Sequence, residues 1–326
     1  MTIYGEDANF SRNSGHVPVM CREVISSLNC KQKGVFVDCT FGAGGHSKAI
    51  LESNTGNRVI ALDKDTDAVE SAKAGMSAYR ERFSIVKAGF ETLGDVLNSL
   101  KIRQVNGFIF DLGMSSMQVD SASRGFSFRF DSELDMRFDS RAGETAADFL
   151  NSADEKELSR VFSEYGEEPR SPALARAVIA RRIKSPLKTT KDLIALIERI
   201  KGLKRNRIHP ATKIFQALRI HVNDELESLK AGLSQAFRCL ETGGRIAAIS
   251  FHSLEDRIVK QYFAYLSKKC VCPPGQPICT CDKEEEALVF KLIKPTEEEV
   301  KDNPRSRSAK LRVIEKIKNK GGKDAA

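Results

Sequence analysis

Three carboxylates stand at the ends of short apolar runs: VFV leads to Asp38, VIAL to Asp63 and GFIF to Asp111. An acid in that position can accept hydrogen bonds from sugar hydroxyls or from an amine. Between the first two lies a turn of Gly42, Gly44 and Gly45, residue types that let the backbone come close to a ligand. Asp63 follows these glycines by about 20 residues, the spacing at which a carboxylate meets ribose hydroxyls in nucleotide-type sites. The dinucleotide frame G-x-G-x-x-G fails, because its last glycine, counted from Gly42, falls on Ser47. The frame acid-x-G-x-G-x-G fits better, on Asp38, Thr40, Gly42 and Gly44 with threonine replacing the first glycine; it is the turn of S-adenosylmethionine sites.

Further chemistry is carried by three other segments. The stretch after Asp111 brings Ser115, Ser116, Gln118, Asp120, Arg124, Asp131, Asp135 and Arg137 together with Phe126, Phe128 and Phe130. Charges alternating with aromatics are costly to bury without partners, so this segment reads as substrate-contacting; the phenylalanines alone could instead seat one domain on another. In ISFHSLEDRIVK, Ser253 and Asp256 form an S-x-x-D capping box that needs no function, while His252 stands at a strand end, open to a site or a structural role. Cys270-x-Cys272 and Cys279-x-Cys281, set among prolines, have the makings of a tetrahedral structural zinc site. Four thiolates would leave such a metal no open position for catalysis.

Strand and helix patterns alternate around the glycine turn: strand 35–37, helix from His46, strand to Asp63, helix 66–79, strand 83–87, helix 91–100 and strand 107–110. That alternation predicts an α/β fold with a parallel, doubly wound sheet and puts Asp38, Asp63 and Asp111 on one rim. The strand signal then lapses. From 146 to 220 the pattern is helical, and strands resume only at 245–251, with 288–293 and 311–317 as a closing antiparallel pair. The expected organisation is therefore a sheet domain from 1–112 and 220–326, interrupted by a helical domain at 113–219. Between Arg170 and Lys213 stand seven Arg and six Lys against two acids, and the chain carries a formal charge of +8. This predicts a polyanionic partner, with Arg181 and Arg182 among the contacts; a solvated helix face is the alternative. No long apolar run or charged-apolar leader pattern is present, which points to a cytoplasmic protein with no membrane partner, and to thiols in place of disulfides.

HVPVM (His16–Met20), DCTFGAGGHS, ALDKD, DLGMSS with Gln118, RGFSFR, LDMR, HPATKIFQALRI, ISFHSLEDRIVK and NPRSRSAKLR, in that order, closely resemble the bacterial RsmH/MraW family. The resemblance implies a Rossmann-like class I S-adenosylmethionine-dependent methyltransferase sheet with an inserted α-helical domain. It implies methylation of the N4 amine of a cytidine in the decoding region of small-subunit (16S) rRNA. Cofactor contacts would fall on Gly44, Gly45, His46, Asp63, Phe90, Asp111 and Gln118. DNA amino-methyltransferases use an N/D/S-P-P-Y/F motif where this chain has Asp111-Leu-Gly, so the amine acceptor stays open among Asp111, Ser115, Ser116 and Asp135. Arg137 and His252 would place the base or its phosphate. The partner would be rRNA in an assembling or assembled small subunit, and a homodimer stays open. A non-catalytic RNA-binding assembly factor and a protein methyltransferase are the rival readings.

Overall fold

The computed structural model describes residues 18–115, 118, 124–127, 130–202, 209–276 and 278–317. Its centre is a seven-stranded sheet of β1 (Val35–Asp38), β2 (Arg58–Asp63), β3 (Phe83–Lys87), β4 (Val105–Asp111), β5 (Leu240–Ser250), β6 (Ala287–Val289) and β7 (Lys310–Lys316). The strand order is β3-β2-β1-β4-β5-β7-β6. The first five strands are parallel, β7 runs antiparallel to β5, and β6 antiparallel to β7 at the edge. The order reverses between β1 and β4, the switch point outside which ligands bind in open α/β sheets. This is the Rossmann-like sheet expected from the sequence, including its closing antiparallel pair.

The inner strands are apolar on both faces because helices cover both. On one side, α1 (Cys21–Ser27), α2 (Gly45–Ser53) and α3 (Thr66–Gly75) bury Val24, Ile50 and Ala72 with Phe36, Val59 and Ile109. On the other, α4 (Leu93–Ser99) and two long helices introduced below bury Leu93, Leu97 and Phe263 with Val37, Leu62 and Phe108. The expected helix 66–79 divides: α3 ends at Gly75, and Ser77–Tyr79 is a 3-10 turn.

Between β4 and β5 run α5 (Ala146–Ser152), α6 (Glu155–Glu164), α7 (Ser171–Lys184), α8 (Thr190–Lys201), α9 (Thr212–Asn223) and α10 (Glu225–Cys239). Residues from Phe126 to Leu218, among them Phe149, Phe162, Leu196 and Phe215, form a separate apolar cluster. The expected division at 219/220 falls inside α9, which continues to Asn223 before Asp224 breaks it at φ 48°. After β5 comes α11 (Ser253–Leu266), then α12 (Glu297–Asp302) and the 3-10 turn Pro304–Ser308. Among the described residues no helix is long and apolar enough to cross a membrane.

Candidate active site

The glycine turn is braced from inside the protein. Asp38 is fully buried; its Oδ2 accepts from Ser47 Oγ at 2.7 Å and its Oδ1 from the Thr40 amide at 3.1 Å. Burial pushes its pKa up, opposed by the Ser47 bond, so it serves as a strut. Gly44 caps α2 at φ 79°, and a Cβ there would lie 2.6 Å from the Phe41 ring. Its glycine requirement therefore comes from turn geometry, and Gly44 itself does not line the cavity described next.

Above the carboxyl ends of the parallel strands lies a cavity of about 450 Å³, lined among others by Gly45, His46, Asp63, Phe90, Asp111, Ser115, Gln118 and His252. That volume suits a ligand of cofactor size. Asp63 anchors one end: Oδ2 accepts from the Gly42 amide at 2.8 Å and Oδ1 from the Asp65 amide at 2.9 Å. Each oxygen keeps acceptor capacity for a ribose hydroxyl. Burial raises the Asp63 pKa to about 6, opposed by the two amides and helped by the Asp65 and Asp38 charges. Phe90 supplies an apolar wall, packed edge-on to Phe110 at 5.6 Å between ring centroids.

At the middle of the rim, His46 Nε2 sits 3.4 Å from Asp111 Oδ2. Burial disfavours the imidazolium, but the Asp111 carboxylate and the Cys21 thiol outweigh it and raise the pKa to about 10. His46 thus stays protonated at neutral pH and cannot serve as a base there. Both its ring nitrogens and Asp111 Oδ1 are buried and meet no hydrogen-bonding partner among the described residues. Buried polar atoms without partners at a cavity wall are what a polar ligand would satisfy.

The opposite end belongs to β5 and the helices beyond it. Three strand spacings separate β2 from β5, about 14 Å. There His252 caps α11: its Nδ1 accepts from the Glu255 amide at 3.4 Å, while Glu255 Oε2 accepts from the amides of Phe251 and His252. The capping box read on Ser253 and Asp256 is displaced by one residue. Ser253 Oγ instead donates to Glu167, and Asp256 accepts from Lys310 at 2.8 Å and Arg312 at 2.6 Å. His252 Nε2 lies 3.0 Å from Glu255 Oε1 but is not aligned to bond it, and it is buried. Arg219 forms a two-pronged pair with Glu225, at 2.7 and 2.9 Å, and approaches Glu255 at 3.9 Å. Arg219, Glu225 and Glu255 all line the cavity, and sequence reasoning missed all three. The available signal was an arginine beside the buried Phe215, Leu218 and Ile220 of an amphipathic helix.

The structure seats Gln118 by its Nε2 donating to Asp65 Oδ2 at 3.0 Å, where Arg124 also donates at 3.3 Å. Ser115 Oγ accepts from the Gln118 amide at 3.2 Å. Ser116 lies outside the described residues. Asp135 and Arg137 do not reach the cavity; Arg137 donates to both Asp135 oxygens at 2.8 and 2.7 Å. Burial would raise the Asp135 pKa, but the Arg137 bonds hold it below the usual carboxylate range, the opposite of what a base requires. Arg181 and Arg182 are likewise committed within the insert. Arg181 binds Asp192 at 3.2 Å, and Arg182 donates to the Leu150 and Ala153 carbonyls at 3.0 and 2.7 Å, closing the end of α5.

The profile of the MraW methylase family matches residues 13–317. The chain belongs to that family. Among its relatives, ribosomal RNA small subunit methyltransferase H of Caldicellulosiruptor saccharolyticus is 48% identical over 93% of this chain and 99% of its own. The protein of the same name from Thermomicrobium roseum is 45% identical over 94% of this chain and 95% of its own. The residues of the cavity fit S-adenosylmethionine: Asp63 would hold the ribose, Phe90 flank the adenine, and the first turn of α2 face the amino-acid end.

Proposed function

We propose that this MraW-family chain is an S-adenosylmethionine-dependent methyltransferase acting on the N4 amine of a cytidine in the decoding region of small-subunit rRNA. The cofactor, when bound, would supply an electrophilic methyl group to the amine nitrogen, whose displaced proton would pass to the Asp111 carboxylate. The amine lone pair is delocalised into the ring, so positioning carries most of the rate. The reading rests on one atom above all: Asp111 Oδ1, buried in the cavity wall and without a partner among the described residues. It accepts an amine hydrogen, while protonated His46 steadies the other oxygen. Ser115, whose Oγ already accepts from Gln118, is left to donate its hydroxyl hydrogen, and the role of Ser116 remains that of a neighbour in sequence.

The far wall receives the base. Because His252 Nδ1 accepts a backbone N–H, the ring hydrogen lies on Nε2 and presents a donor. Cytosine offers acceptors at N3 and O2 beside its N4 amine, so this donor and the Asp111 acceptor match the base edge. His252→Ala is expected to lower methyl transfer at least about tenfold, the scale of one lost hydrogen bond, with donor affinity unchanged. Calorimetry and single-turnover transfer of labelled methyl into immature small subunits measure the two. Equal loss of both would put His252 in the cofactor site instead, and label on ribosomal protein would turn the reading toward protein methylation.

The domain from 113 onward is assigned the RNA-facing role through other residues than Arg181 and Arg182. Lys184, Lys188, Lys191 and Arg199 are exposed and have no side-chain partner among the described residues. Changing all four to Glu should flatten the salt dependence of subunit binding, by roughly 0.7–0.9 in the log–log slope per lost phosphate contact. An unaltered slope would leave this face merely solvated. An assembling or assembled small subunit in the cytoplasm is the partner of this reading, with a homodimer compatible. The four clustered cysteines are assigned to a structural zinc with no part in the transfer.

A further inference from the structure

The excursion between α11 and β6 has no core of its own. Its chain leaves at Leu266 and returns at Glu286, whose amide donates to the Leu266 carbonyl at 2.9 Å, so the two ends meet. Of its larger apolar side chains, Val271 is 42% and Ile278 76% exposed, too open to order a loop of this length. What does converge are sulfurs. Cys270 and Cys279 Sγ lie 3.6 Å apart, Cys279 and Cys281 3.5 Å, Cys281 and Cys270 3.7 Å, and Cys272 and Cys279 3.9 Å. All four can offer a sulfur within 4.8 Å of the others, and none is in a disulfide. A tetrahedral zinc with bonds of about 2.3 Å has sulfur–sulfur edges of about 3.8 Å, a value that these separations bracket. A multinuclear iron–sulfur cluster would set its cysteines further apart, with sulfide and a second iron between them.

Backbone donors support the same end state. The amides of Val271, Cys272 and Thr280 point at the sulfurs of Cys281, Cys270 and Cys272, at 3.3, 3.4 and 3.4 Å. Such N–H groups favour thiolates, and second contacts of this kind orient metal ligands. The place of the cluster separates it from the reaction. Helix α11 starts at the cavity with His252 and runs 14 residues, about 21 Å, before the excursion begins. The return strand β6 begins by pairing Ala287 with Lys316, the last residue of β7. The cluster therefore sits toward the amino end of the parallel sheet, remote from the rim that holds Asp63 and Asp111.

We propose that one zinc ion on Cys270, Cys272, Cys279 and Cys281 is the clasp that keeps the 267–286 excursion closed and edge strand β6 seated, independently of the catalytic cavity. This rests on the zinc assignment above, and two measurements on the full chain separate the two. Metal analysis of protein purified reduced and without chelator should find close to one zinc per chain, and cobalt(II) in its place should give intense sulfur-to-cobalt charge-transfer absorption. Finding no metal overturns the assignment itself. Hydrogen exchange before and after zinc removal by a chelator should then show acceleration confined to 267–289, with β1 and β2 unchanged. Zinc present but exchange unaltered on its removal would overturn the clasp while leaving the site. The double variant C270S/C281S should lose the metal and show the same local acceleration. Its donor affinity, expected unchanged, checks that the sheet domain has folded; a loss of donor binding on metal removal would overturn the independence from the cavity.

Discussion

Asp63→Ala is expected to weaken S-adenosylmethionine binding by about 1.5–3 kcal/mol, or roughly 12- to 160-fold, the scale of hydrogen bonds to a charged group. Both oxygens of Asp63 already accept one backbone amide each, and what remains to them faces the cavity. The substitution thus removes ligand contacts together with two bonds that shape the turn. A pH series distinguishes these. In the free protein the Asp63 pKa stands near 6, raised by burial. Ribose hydroxyls donate to the ionised carboxylate, so the bound state has the lower pKa. Affinity should be level above pH 6 and fall as pH drops from 6 toward 5, by up to tenfold per unit. This window lies below the ionisation of the donor's own amino group near pH 8. Calorimetry at pH 5, 6 and 7 tests it: the wild-type slope should vanish in Asp63→Ala. A slope shared by both proteins would assign the titration elsewhere, and an unchanged affinity in the folded variant would remove Asp63 from the cofactor site.

The parts of this fold that were legible from sequence are those fixed by local pattern. Runs such as VIALD and GFIFD announce strands and the acids at their tips, because alternating coverage by helices demands apolar residues up to the rim. The antiparallel pair at the edge was legible for the same reason, though Leu288–Ile293 shortens to Ala287–Val289 with one further bridge from Ile293 to Leu311. Charged residues were harder, since composition counts charges and says nothing about what they meet. Arg182 reads as a phosphate ligand, yet one nitrogen of its guanidinium serves the carbonyls of Leu150 and Ala153, about 30 positions away. Ser253 and Asp256 make a complete local capping pattern, yet Lys310 and Arg312 claim the aspartate and leave the cap to His252 and Glu255. Asp135 and Arg137, two residues apart, pair with each other. In each case a long-range or mutual partner outcompeted the local reading.

Arg219→Met is expected to have the largest effect on stability, a loss of about 3–5 kcal/mol, because it strips the cation from two buried carboxylates at once. Arg219, Glu225 and Glu255 show side-chain exposures of 9%, 10% and 4%, so water cannot take over the role of the guanidinium. Burial alone would raise the Glu255 pKa; His252, Arg219 and the Phe251 amide hold it below the usual carboxylate range. A carboxylate depressed in the folded state contributes stability above its unfolded pKa, near 4.3, that is lost as pH falls through the folded value. The Arg219 variant should therefore lose most at neutral pH and converge on the wild type in acid, where Glu255 takes a proton in both. The three residues come from α9, α10 and α11, so the network joins the last helix of the insert to the helix that His252 caps. Removing charge from both sides at once, in R219M/E225Q, should recover part of the loss, since no full ion pair is then broken. Denaturant unfolding of the four proteins of this cycle measures the coupling. Strictly additive losses, or a single-variant loss under about 1 kcal/mol, would mean that these groups are solvated in solution and do not form one buried network. A coupled network of this kind braces the helix that His252 caps against the last helix of the insert, and it predicts that Arg219→Met lowers methyl transfer more than it lowers donor affinity.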